Sequence, residues 1–288
     1  FMDIKYFDEV ARLTGVLGLK VSQGGKELIH ATWDEEVRRN VYSASKSFVA
    51  CAVGLAQSEG LLSIDEPLTE AFSESLPPKI SENLKKAKVR DLLTMCLGQE
   101  KAELMGPYRP LYEEDDWVKL ALSIPFVHEP GSTFVYSNAG PYLAGMLVQR
   151  RAGCDLVEYL TPRLFAPLSI KRPTWEVDPL GNTFGSSGLM LTLSELHRFG
   201  VLLLQKGKWE GKQLIDEGWL HECTRPQSAA PYGYFFWMGE KNSFRADGKN
   251  GQLSIVFPEK DAVVTVVSES RHTPLIFRAI YDTLWPQL

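Results

Sequence analysis

Strand character in this chain is confined to its two ends, and any fold it adopts must bring those ends together. Val16-Leu17-Gly18-Leu19-Lys20-Val21 and Glu27-Leu28-Ile29-His30-Ala31-Thr32-Trp33 read as a hairpin turned at Ser22-Gln23-Gly24-Gly25. Strand signals return only at Gly233–Met238, Ser243–Asp247, Gly251–Phe257 and Ala262–Ser268. Between them, apolar periodicity and Pro/Gly punctuation predict helices near 43–60, 89–95, 115–122, 141–151, 156–164, 193–205 and 216–223, with further helices near 3–14 and 274–285 at the two termini. Neither group of strands can bury an apolar face alone, so the early and late strands must share one sheet. The predicted fold class is α/β: a mainly antiparallel sheet flanked by helices, with a large helical lobe inserted between early and late strands. At 288 residues, with no internal repeat or flexible linker, the expected organisation is a single domain. Its sheet lobe would span about 1–42 and 231–288 and its helical lobe about 43–230.

The predicted helix near 43–60 opens on a polar knot, Tyr42-Ser43-Ala44-Ser45-Lys46-Ser47, and then becomes apolar. If the helix begins at Ser43, the three-residue spacing puts Ser43 and Lys46 on one face, at the end where free N–H groups point outward. A serine hydroxyl becomes a nucleophile only when a base removes its proton, and a lysine can do so only if its ammonium is destabilised. Bringing its pKa from ~10.4 to about 7–8 takes roughly 4 kcal/mol, which burial and a positive helix end both favour. Spacing alone is weak evidence, since Ser-x-x-Lys arises about once by chance in a chain of this size. It gains weight because it occurs only once here and leads into a buried helix.

Two more clusters carry polar chemistry. In Glu129-Pro130-Gly131-Ser132-Thr133-Phe134-Val135-Tyr136-Ser137-Asn138, an extended backbone would project Tyr136 and Asn138 the same way. A phenol beside a lysine shares a proton with it, and the two titrate as a couple. The bland alternative is a core tyrosine and an asparagine that caps the next helix. In Phe244-Arg245-Ala246-Asp247-Gly248-Lys249-Asn250-Gly251-Gln252, the glycines allow close approach to a strand edge, or simply make a hairpin turn. A strand-edge N–H there, beside the N–H of Ser43, would give two donors for an oxyanion.

With Val89-Arg90-Asp91-Leu92-Leu93-Thr94 and Ala166-Pro167-Leu168, these segments in this order resemble the serine β-lactamase and penicillin-binding-protein superfamily. The likeness is to its class C-like branch, which includes DD-peptidases, family VIII esterases and 6-aminohexanoate-dimer hydrolases. The resemblance implies Ser43 as the acylated nucleophile, Lys46 and Tyr136 as the proton-handling pair, and Asn138 as a polar contact to substrate and lysine. It further implies Gly248 and Lys249 at the substrate, with the N–H groups of Ser43 and Lys249 as oxyanion hole and Tyr136, together with Lys46, activating the deacylating water. No cofactor or metal is implied. Where β-lactamases and DD-peptidases carry Lys-Thr-Gly or His-x-Gly, this chain reads Ala246-Asp247-Gly248, and strand alternation sets Arg245 on the opposite face from Ala246. A cation is missing and an acid sits beside the gap, which disfavours a substrate carboxylate. The expected activity is therefore hydrolysis of a small ester or amide. The alternatives are a β-lactamase or DD-peptidase in the narrow sense, and a penicillin-binding sensor that is acylated without turnover.

Composition excludes other classes. A net charge of −5 without a basic stripe argues against nucleic acid as partner. No apolar run reaches the ~18–20 residues of a membrane span, and the first residues lack a secretory pattern. Cys51, Cys96, Cys154 and Cys223 are dispersed, as reduced thiols in a cytoplasm would be. The histidines lack H-E-x-x-H spacing, and Gly185-Ser186-Ser187-Gly188 does not fit a G-x-S-x-G elbow. The expected partner is a small ester, amide or β-lactam-like molecule. Among Tyr108, Tyr112, Trp117, Tyr232, Phe235 and Trp237, one or two are expected to touch it and the rest to fill the core.

Overall fold

A computed structural model describes residues 1–288, and in it the two ends of the chain form one sheet. The strands are β1 (Val16–Gln23), β2 (Lys26–Thr32), β3 (Arg39–Asn40), β4 (Met190–Leu191), β5 (Lys208–Trp209), β6 (Lys212–Gln213), β7 (Trp237–Met238), β8 (Phe244–Gly248), β9 (Gln252–Phe257) and β10 (Ala262–Ser268). Six of them make the main sheet, in the order β2-β1-β10-β9-β8-β7 with antiparallel pairing throughout. The helices are α1 (Lys5–Thr14), α2 (Ser45–Ser58), α3 (Leu68–Ala71), α4 (Glu82–Lys86), α5 (Val89–Leu93), α6 (Trp117–Ser123), α7 (Ala139–Ala152), α8 (Leu156–Leu160), α9 (Leu193–Leu204), α10 (Glu217–Cys223) and α11 (Thr273–Ala279).

Every residue of β9 and β10 is buried, because helices cover both faces of the sheet. On one face Leu19, Ile255, Val264 and Val266 pack with Phe7 of α1 and Ile276 of α11. On the other, Val256, Val263 and Val267 join a larger core with Phe48 of α2 and Phe199 of α9. Helix α9 lies close on this face because position 200 is glycine: a Cβ there would stand 2.2 Å from Ser254 Oγ. No helix is long and apolar enough to cross a membrane.

Four local expectations change, the first being the helix near 274–285, which is α-helical only over Thr273–Ala279 and widens into a π turn at Ile280–Leu284. The strand expected at Gly233–Met238 shrinks to Trp237–Met238, since Phe235 turns through a left-handed φ of 63° and Gly233 is pressed onto the Cys223 carbonyl. The helix from Leu156 loosens into a wide π turn at Thr161–Phe165, where Pro162 has no N–H to give. The helix expected to begin at Ser43 starts instead with a tight turn, Tyr42–Ala44, and becomes α-helical at Ser45. Helices α3 and α4 and the pairings β3–β4 and β5–β6 are too short to show any periodicity in the sequence. Of these, β3–β4 matters for the site. It ties the residues just before Tyr42 to the segment that follows Ser186 and Ser187.

Candidate active site

The tight turn carrying Ser43 is entered through strained backbone. Tyr42 has φ 48°, unusual for a residue with a side chain, and its N–H donates to Asn40 Oδ1 at 2.7 Å. Next to it Val41 is fully buried, with its N–H on the Leu189 carbonyl at 2.9 Å. Of the hydroxyls in the polar knot, Ser47 donates to the Phe235 carbonyl and Ser45 accepts from the Leu189 N–H. Both are structural. Of the three serines Ser43 alone lines the large cavity, next to Tyr42.

Lys46, in the first turn of α2, is 1% exposed. Its Nζ lies 2.6 Å from Ser43 Oγ, donates to the Ser186 carbonyl at 2.9 Å, and stands 5.0 Å from the centre of the Tyr136 ring. Burial pushes its pKa well below the ordinary lysine value; the charge of Arg109 pushes the same way and that of Asp247 opposes it. Tyr136 is packed against Trp237 at 5.5 Å and edge-on to Tyr232 at 6.1 Å, ring centre to ring centre. Burial raises its phenol pKa, with the Ser43 hydroxyl pulling the other way and Asp247 adding to the rise.

Asn138 stands at the N-terminus of α7 without capping it. Its Nδ2 instead donates to the Leu104 carbonyl at 3.1 Å, while its Oδ1 is buried with no partner. Leu104 is itself in the left-handed region at φ 58°, and its carbonyl also accepts from Arg109 Nη1 at 2.8 Å. Gly248, the last residue of β8, faces the Val41 carbonyl so closely that a Cβ would lie 2.1 Å from its oxygen. The close approach expected of this glycine is therefore made by the chain's own backbone. Lys249 follows in the turn to β9, exposed, with no backbone partner for its N–H.

Ser43, Tyr136, Asn138 and Lys249 line one cavity of about 580 Å³, with Lys46 beneath Ser43 and Gly248 behind Lys249. The structure thus gathers Ser43, Lys46, Tyr136, Asn138 and Lys249 at one place, while Gly248 meets the Val41 carbonyl in place of the cavity and no hydrogen bond joins Asn138 to Lys46. Of the aromatic candidates Trp237 lines the cavity, Tyr232 backs Tyr136, and Trp117 and Phe235 are core. No group of three His, Cys, Asp or Glu side chains is arranged to hold a metal ion.

Sequence reasoning missed other groups. The Ser186 carbonyl that holds Lys46 comes from a stretch whose flanking Gly185 and Gly188 sit at φ 79° and 87°. That glycine pair was the available signal. Arg109, from a loop with no motif, reaches the cavity wall, stacks on Phe184 at 4.4 Å and meets Glu176 at 3.3 Å. The missing cation at Ala246 also resolves differently from expectation. Ala246 is fully buried in the core, and it is the opposite face of β8, with Arg245 and Asp247, that meets the cavity. Arg245 Nε donates to Asp247 Oδ2 at 2.6 Å.

Comparison with known proteins agrees with this architecture. The beta-lactamase family model matches residues 7–283. The 6-aminohexanoate-dimer hydrolase of Paenarthrobacter ureafaciens is 24% identical over 280 residues, covering 88% of this chain and 71% of that protein. The penicillin binding protein of Bacillus halodurans superposes with a TM-score of 0.77 at 17% identity, covering 97% of this chain and 99% of that one. EstCE1, described as a hydrolase with promiscuous acyltransferase activity, gives 0.76 at 14% identity over 96% and 97%. At such identities the superpositions establish the shared fold.

Proposed function

The chain belongs to the beta-lactamase family, and on that premise we propose that it is a serine hydrolase that forms an acyl-enzyme on a small ester or amide. The observation that carries the proposal is the 2.6 Å contact between Ser43 Oγ and a buried Lys46 Nζ whose pKa is driven down. Burial favours the neutral amine and the neutral phenol of Tyr136, so the resting couple holds its base on the lysine. In acylation the Ser43 proton passes to Lys46 Nζ as Oγ bonds to the substrate carbonyl carbon. The developing oxyanion is received by the N–H groups of Ser43 and Lys249. As the tetrahedral adduct collapses, the bond to the leaving oxygen or nitrogen breaks. The Tyr136 phenol protonates that atom and is reprotonated from Lys46. In deacylation a water follows the reverse path, its proton taken through the phenol to the amine and then returned to Ser43 Oγ. Asn138 and Lys249 contact the substrate, with Gly248 holding the end of β8 against the nucleophile turn.

Assays with p-nitrophenyl esters and nitrocefin, combined with mass mapping of a fluorophosphonate adduct, test this. The expected result is steady turnover of short esters, little or none of nitrocefin, an adduct on Ser43, and loss of both adduct and turnover in Ser43→Ala. An adduct on another residue would overturn the proposal. Efficient nitrocefin turnover would instead identify a β-lactamase in the narrow sense, and a stoichiometric burst without turnover a sensor.

A further inference from the structure

The face of β8 that meets the cavity carries a carboxylate with one oxygen to spare. Asp247 Oδ2 accepts from Arg245 Nε at 2.6 Å, whereas Oδ1 has no partner within the chain. The side chain is only 23% exposed, lines the same cavity as Ser43, and precedes Gly248, so the rigid contact of Gly248 with the Val41 carbonyl fixes its position relative to the nucleophile. Oδ1 is open to the cavity, so a ligand that lines up a donor there takes the place of water at a partly desolvated carboxylate. The neighbouring cations do not cancel it for a ligand. Arg245 is committed, with its Nε on Asp247 and its guanidinium 4.7 Å over the Phe277 ring. Arg109 is tied to Glu176 and the Leu104 carbonyl. Lys249 is exposed at the rim, where water and salt screen its charge.

We propose that Asp247, braced by Arg245, is a specificity-determining residue that selects substrates bearing an N–H donor, such as a carboxamide, beside the scissile carbonyl, and rejects those bearing a carboxylate there. This inference rests on the acyl-enzyme chemistry above and names the substrate class it acts on. A carboxamide offers an N–H to Oδ1. A carboxylate of the same shape meets a like charge and leaves Oδ1 unpaired, so it is penalised twice.

Two pairs of esters, each differing only in –CONH2 against –COO−, test the proposal: one pair carries the group on the leaving side (glycolamide against glycolate), the other on the acyl side (succinamate against succinate). For the wild-type enzyme, kcat/KM for the carboxamide is expected to exceed that for the carboxylate by at least about tenfold in one pair or the other. In Asp247→Asn, which keeps an oxygen for Arg245 and removes the charge, that ratio is expected to fall at least about fivefold towards unity. A wild-type preference for the carboxylate, taken through Lys249, would overturn the proposal, as would a ratio indifferent to Asp247→Asn or the absence of discrimination in both pairs. Should Asp247→Asn fail to fold, the wild-type ratios decide the matter. A fluorophosphonate adduct on Ser43 in the same preparation separates the two levels: if it forms and discrimination fails, only the specificity claim falls. If it does not form on Ser43, the hydrolase proposal falls and takes this one with it.

Discussion

At Lys46 the protein solves a problem in proton affinity with one helix turn. An exposed lysine in this place would stay protonated and hold Ser43 as an inert hydrogen-bond acceptor. Enclosing the amine at the base of α2 removes the water that stabilises its charge, and leaves it only two neutral oxygens, the Ser186 carbonyl and Ser43 Oγ. The same enclosure raises the Tyr136 phenol's pKa and keeps it protonated, the state that its proposed part as donor and relay requires. Replacing Tyr136 by Phe keeps the packing with Trp237 and Tyr232 while deleting the relay. Ester turnover is expected to drop at least about a hundredfold, with folding unaffected by circular dichroism. An undiminished rate would remove the phenol from the mechanism. Ser43, Lys46, Tyr136 and Asn138 were legible in the sequence because short spacings on a helix or an extended segment translate directly into shared direction. Arg109, Arg245 and Asp247 were not. Arg109 arrives on a single 3-10 turn, Arg109–Leu111, too short to show any periodicity. For β8, alternation gives two faces without saying which meets the cavity, and burial of Ala246 decides it.

Among the elements, β8 and the turn before α2 behave as one unit. Gly248 presses on the Val41 carbonyl, Val41 is held by Leu189, and β3–β4 secures the residues on either side. A methyl group at position 248 has to displace backbone on both partners, a shift that separates the Lys249 N–H from Ser43. Gly248→Ala is therefore expected to lower kcat/KM at least about tenfold and to cost about 1–3 kcal/mol in urea unfolding, because overpacking strains the contact it is meant to make. Wild-type kinetics in this variant would show that the contact does not position the site. Long elements such as β9, β10, α7 and α9 could be read from runs and periodicity, since packing acts on many residues at once. The two-residue pairing of β3 with β4 could not. It exists because tertiary structure places Arg39-Asn40 beside Met190-Leu191, and nothing local in either segment favours a strand.

Over the whole molecule, the two ends of the chain and the inserted helices are sewn together by a polar seam under α9. Buried His197 of α9 reaches Ser22 of β1 through Nε2 at 2.6 Å and Thr265 of β10 through Nδ1 at 2.8 Å, and Thr265 Oγ1 lies 3.0 Å from Ser254 Oγ of β9. Burial lowers the imidazole pKa from 6.5 to about 3, with the charges of Lys20, His30 and Arg198 acting in the same direction. The folded state therefore holds this histidine neutral where the unfolded chain would protonate it. Its contribution to stability is complete above pH 6.5 and is lost progressively as the pH falls from 6.5 towards about 3. Each pH unit in that window removes up to about 1.4 kcal/mol, on the order of 5 kcal/mol in all. Urea unfolding at pH 8, 6, 5 and 4 is expected to show His197→Gln less stable than wild type at pH 8, because the seam is broken, and less sensitive to acid, because the titrating group is gone. The two stability curves should converge as the pH falls. Parallel curves would mean that His197 carries no proton linkage, and that acid sensitivity arises from carboxylates such as Glu59 and Glu195, whose arginine partners hold their pKa values down.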